Sequence, residues 1–122
     1  MPRVVHFELQ ADDPERAGRF YKTVFGWDIR KWAGEMEYWL VTTGPKDAPG
    51  IDGAIMPRMS PGGQTINTIA VDDLDATVKR LTKAGGKVVT KRQTIPGVGL
   101  FCYCADTEGN TLGVLQPDMK VK

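Results

Sequence analysis

Shifted by sixty residues, the chain falls onto itself. Asp12 then meets Asp72, Asp13 meets Asp73, Gly26 meets Gly86, Leu40 meets Leu100, Gly53 meets Gly113 and Pro57 meets Pro117, all in one register. The matches fall where a repeated fold has to repeat itself: at a helix cap, a helix stop, a strand and a last strand. Such an internal duplication requires two halves built alike, approximately residues 1–58 and 62–122, with Ser60-Pro61-Gly62-Gly63 between them. At 122 residues, with 41% apolar and 25% charged side chains, the chain has room for one domain that buries roughly two thirds of its unfolded surface.

Each half reads as βαβββ. In the first, Val4 to Gln10 alternates, with Val5, Phe7 and Leu9 on one face and Val4, His6, Glu8 and Gln10 on the other. Asp12-Asp13-Pro14-Glu15 then supplies a capping acid, a first-turn proline and a first-turn carboxylate, and Ala17, Phe20, Tyr21 and Val24 follow at helical spacing until Gly26 stops the helix. Trp27 to Trp32, Tyr38 to Thr43 and Ile51 to Met56 are the three further strands. The second half offers Ile66 to Val71, a helix striped by Leu74, Val78 and Leu81 that ends at Gly85-Gly86, and strands Lys87 to Lys91, Leu100 to Cys104 and Thr111 to Gln116. A ferredoxin-like βαββαβ chain would leave one strand per half unused and need overlong loops.

Sixteen basic against fifteen acidic residues leave a net charge of +1, which gives no long-range field to gather nucleic acid or an anionic membrane. The apolar runs are short and Met1-Pro2-Arg3-Val4-Val5-His6 has no signal-like apolar core, so a cytoplasmic protein is expected. Cys102 and Cys104 stand two apart on one strand face, too far apart for a relaxed disulfide, and read as buried structural thiols. Ser60, the only serine, lies in the linker and has no nucleophile elbow around it.

His6-Phe7-Glu8-Leu9 leading into Asp12-Asp13-Pro14-Glu15-Arg16-Ala17, then Phe20-Tyr21, Val24-Phe25-Gly26-Trp27 and Asp106-Thr107-Glu108-Gly109-Asn110, carry a resemblance. The chain resembles the vicinal oxygen chelate superfamily of glyoxalase I, bleomycin-resistance proteins and extradiol dioxygenases, and most of all its small members described as related to lactoylglutathione lyase. The resemblance implies an α+β fold in which two tandem βαβββ modules form a curled-sheet cavity, completed by dimerisation. It also implies four metal-ligand positions, two per module, which here carry His6, Gly53, Ile66 and Gly113. Only His6 is a ligand, whereas zinc, nickel or iron needs three or more His or carboxylate donors to repay its dehydration. No cofactor is therefore expected, and a divalent metal is disfavoured. In this alignment Ile51, Gly53 and Ile55 share the inward face, and a slip of one residue would bring Asp52 inward instead.

On the polar face of the first strand, His6 and Glu8 are the candidate proton-transfer groups, because a desolvated carboxyl and an imidazole both titrate within reach of neutrality. The competing reading is a solvated strand face or a histidine satisfied within the core. Gln10, Tyr38, Trp39, Met56, Phe101 and Tyr103 are the candidate ligand-binding residues, flat or flexible side chains suited to an apolar molecule, although core packing is the usual employment of aromatic residues. The expected function is small-molecule binding, with an apolar or aromatic ligand in the sheet cavity. The alternative is a glyoxalase-like lyase or isomerase, or a dioxygenase, with an atypical metal site on His6 and Glu8. Open strand edges call for a symmetric partner, so a homodimer is expected, and neither nucleic acid nor membrane is.

Overall fold

The structure is a computed structural model that describes residues 2–34 and 36–118. Its contacts divide the chain into two compact units, one holding His6–Ile66 and the other the N-terminal residues through Val5 with the chain from Asn67 onward.

In the first unit the strands are β1 (Arg3–Ala11, of which the residues from His6 belong here), β2 (Asp28–Lys31), β3 (Trp39–Thr42) and β4 (Gly53–Pro57), with α1 (Pro14–Phe25) after β1. They lie in the order β2-β3-β4-β1, antiparallel except for the parallel β1–β4 pair. α1 starts because the Asp13 carboxylate accepts the Arg16 N–H at 3.1 Å and Pro14 supplies a preset first turn. It stops at Gly26, whose φ of 74° is the left-handed conformation that glycine adopts without penalty. The register separates the two faces of the sheet. Phe7 and Val41 flank Gly53, and Leu9 and Trp39 flank Ile55; this face packs under α1 against Ala17 and Tyr21. Glu8 and Leu40 flank Ala54 on the other, helix-free face, with Gln10 beside Met56.

The second unit repeats the plan with one strand more: β5 (Ile66–Ala70, of which the residues from Asn67 belong here), α2 (Leu74–Lys83), β6 (Lys87–Val88), β7 (Gln93–Ile95), β8 (Gly99–Ala105) and β9 (Thr111–Pro117). The order is β5-β9-β8-β6, with β7 also paired to β8 and the β5–β9 pair parallel. Asp73 caps α2 through the Ala76 N–H at 3.0 Å, and Gln116 Oε1 accepts the Leu74 N–H at 2.8 Å. Val71, Leu74, Cys102, Cys104 and Val114 form the core beneath it.

Two expectations change. β7 falls between the expected strands Lys87 to Lys91 and Leu100 to Cys104, where the sequence reading places no strand; three residues are too few to show a period, and their ladder to Gly99–Phe101 is a tertiary contact. The second correction concerns the fold class. The α+β mixed sheet is present, but the curled-sheet cavity is not: β2 ends the strand series in one unit and β6 ends it in the other, and among the described residues no ladder returns from either to close the sheet. Closure depends on strand tilt and stagger, which alternation along single strands does not specify.

Candidate functional site

The helix-free face of the first unit collects polar groups around one tyrosine. β2 and β3 pair with Lys31 opposite Trp39, and the ladder runs on to Trp32, whose N–H donates to the Tyr38 carbonyl at 2.7 Å. Tyr38 precedes β3 by one residue, so its side chain has the opposite parity from Trp39 and shares a face with Leu40 and Glu8. There its hydroxyl donates to Glu8 Oε2 at 2.6 Å, and its oxygen lies 2.9 Å from His6 Nε2. The His6 and Tyr38 rings are close to parallel, 13° apart at 6.5 Å, and Trp32 meets Tyr38 edge to face at 6.3 Å.

Electrostatics follow from burial. Glu8 is only 5% exposed, so its carboxylate depends on donors such as Tyr38. Burial lowers the His6 pKa below its ordinary 6.5, more than the carboxylates of Glu8 and Asp52 raise it. The imidazole is therefore neutral at physiological pH. Asp52 is itself held by the Thr43 backbone N–H at 2.8 Å, while the Thr43 hydroxyl donates to the Ile51 carbonyl at 2.7 Å.

The other expected site residues divide between this face, the core under α1 and the second unit. Gln10 shares the His6 face, but its amide clamps the linker: Oε1 accepts the Met59 N–H at 2.7 Å and Nε2 donates to the Gln64 carbonyl. Met56 is buried beside it. Trp39 lies in the core under α1, with Lys31 Nζ 5.6 Å from its ring centre. Phe101 and Tyr103 belong to the other unit and pack edge to face at 4.8 Å, on the parity opposite to the cysteines. Two concavities lie away from His6, one of about 830 Å³ lined by Gln10, Arg58 and Gly63 among others, and one of about 280 Å³ at Arg19, Lys22 and Ile29.

A divalent metal does not fit this donor set. Gly53, aligned with a ligand position, turns toward α1 with Phe7, on the face opposite Glu8 and His6. Among the described residues no three His, Cys, Asp or Glu side chains come together to hold an ion, and Nε2 of His6 and Oε2 of Glu8 are both turned to Tyr38. The Cys102 and Cys104 sulfurs lie 3.6 Å apart as buried free thiols. Burial, and then the contact with Cys102, pushes the Cys104 thiol up to about 12, which keeps it protonated and a poor ligand.

Trp32 and Leu40 are neighbours of this site that the sequence did not mark, whereas Asp52, whose carboxylate acts on His6, is the residue that a one-residue slip of the fourth strand was expected to bring inward. The signal for Trp32 and Leu40 lies in the β2–β3 register, which fixes the parity of Tyr38 and Leu40 together, and that register depends on a connection whose length strand alternation does not define.

A family model described as "Glyoxalase/Bleomycin resistance protein/Dioxygenase superfamily" matches residues 3–114. A Mycobacterium bovis protein named "Putative glyoxylase CFP32" is 32% identical over 112 residues, which are 90% of this chain and 42% of that protein. The Mycobacterium tuberculosis protein of the same name matches to the same extent, so this chain spans less than half the length of these curated relatives, 42%. A "Glyoxylase-like domain-containing protein" of Didymella fabae is 35% identical over 109 residues, 85% of each chain. Among solved structures, methylmalonyl-CoA epimerase from Mycobacterium tuberculosis superposes with a TM-score of 0.70 over 94% of this chain and 87% of its own at 14% identity, which is a likeness of fold.

Proposed function

We propose, for a chain that belongs to the glyoxalase/bleomycin resistance protein/dioxygenase superfamily, that it binds a small molecule of apolar or aromatic body on the helix-free face beside His6, without a divalent metal at the family positions. The observation that carries this reading is the series His6–Tyr38–Glu8, which runs from a part-buried imidazole to a buried carboxylate. Withdrawing a carboxylate from water is costly, and packing alone would be served as well by an apolar residue. Beside it the Trp32 indole, 40% exposed, offers a flat apolar surface. The names of the glyoxylase relatives and of the epimerase refer to small-molecule chemistry, which supports the class of ligand and leaves its identity open.

The same three side chains also suit proton transfer, because His6 taking a proton would be balanced by Tyr38 and Glu8 behind it. Turnover is thus the second reading. The proposal includes a homodimer: β2 ends its strand series, and Phe20, Val24 and Phe25 on α1 stand 57%, 53% and 59% exposed. Free buried thiols suit a reducing, cytoplasmic setting.

The test is a panel of aromatic metabolites screened by thermal shift and tryptophan fluorescence against the wild type, His6→Ala and Trp32→Ala. Stabilisation that both substitutions remove supports the site. Stabilisation that survives both, or none across the panel, overturns it; consumption of the compound would favour the enzyme reading.

A further inference from the structure

We infer that the His6 face selects ligands that donate a hydrogen bond, such as a phenol, an alcohol or an N–H group, over ligands of the same shape that can only accept one. This rests on the ligand site proposed above and adds the polarity of its contact. The Tyr38 hydroxyl has a single proton, and it goes to Glu8 Oε2 at 2.6 Å. Toward His6 Nε2, 2.9 Å away, the tyrosine oxygen can therefore only accept. The imidazole proton must sit on Nε2, which leaves Nδ1 of the neutral ring as a bare lone pair.

That lone pair is reachable. His6 makes no second hydrogen bond among the described residues, and no buried side-chain nitrogen or oxygen among them lacks a partner, so Nδ1 has access to solvent. Every proton of the series points inward and an acceptor points outward. A carbonyl, ether or carboxylate brought to Nδ1 would set lone pair against lone pair, and the nearby carboxylates of Glu8 and Asp52 add to the penalty for an anion.

The probes are phenol, anisole and benzoate, titrated at a pH of about 7.5, above the ordinary histidine pKa, into the wild type, His6→Ala and Tyr38→Phe, with backbone and side-chain NMR shifts as the readout. Phenol is expected to bind at least about fivefold more tightly than either other probe, the worth of one partly buried hydrogen bond. His6→Ala abolishes that preference. Tyr38→Phe also erodes it, because an imidazole without its Nε2 acceptor is free to present Nδ1–H instead. Since the chain has one histidine, imidazole ¹⁵N shifts of the wild type read the tautomer directly and keep the inference testable should Tyr38→Phe not fold. Anisole or benzoate binding as tightly as phenol, with shifts at His6, overturns the polarity and leaves the ligand site standing. A protonated Nδ1 in the wild type, or a phenol preference undiminished in Tyr38→Phe, overturns it as well. No probe moving His6 or Trp32 overturns both.

Discussion

Tyr38 carries more of the site than either group it joins, because its one hydroxyl satisfies Glu8 and orients His6 together. Tyr38→Phe removes a donor from a carboxylate that is 5% exposed. Urea denaturation should show a loss of about 1–3 kcal/mol, the cost of taking a partner from a buried polar group; an unchanged midpoint would mean that Glu8 does not need this bond. His6 gives the matching pH dependence. Its folded pKa lies below the ordinary 6.5 through burial, so as pH falls the unfolded chain takes up a proton before the folded one does. The stability held by the neutral ring is complete above 6.5 and is lost as pH falls from there through the lower folded value. Between a pH of about 7.5 and about 5.5 the wild type should therefore lose more Tm than His6→Gln; parallel curves would contradict the buried neutral ring. At this scale the sequence was informative about chemistry and silent about pairing. Alternation along Val4 to Gln10 put His6 and Glu8 on one face, but that Tyr38 rather than Trp39 reaches them depends on strand parity across a connection.

Among the elements, the helices were the most legible, because their start signals are local. Asp13 and Asp73, sixty residues apart, both cap as the duplication requires, and each accepts an N–H three residues on. Strand ends were less so: β6 stops at Val88 instead of running to Lys91, and β7 arises between two expected strands where none was read. Gly53 and Gly113 match in sequence, and packing now supplies a reason for each. A Cβ on Gly53 would meet the Phe7 carbonyl and ring, and one on Gly113 would meet Thr68 Oγ1 at 2.7 Å and the Phe101 ring at 2.8 Å. Gly113→Ala is expected to cost about 1–3 kcal/mol by overpacking, measured as a lower urea midpoint, and Gly113→Ala combined with Phe101→Leu should recover part of it. A neutral Gly113→Ala would show that the ring moves aside freely.

For the whole molecule, the repeat led to an expectation of two like-built modules around a cavity; the α+β mixed sheet and the two helices are present, and the cavity is not. Periodicity reports which residues share a face, whereas closure is set by stagger over many ladders, so the expected cavity gave way to open sheets. Open ends and an exposed aromatic edge on α1 are the grounds for the proposed dimer, for which light scattering at micromolar concentration should give twice the 13.4 kDa chain mass; a monomer would remove that part of the proposal. The measurement that bears most directly on function is a chemical-shift map of phenol binding over all assigned residues. Shifts clustered on His6, Glu8, Trp32, Tyr38 and Leu40 are the predicted result. Shifts confined to α1, to the concavity at Arg58 or to the second unit, or no saturable shifts at all, would contradict a ligand site on the His6 face.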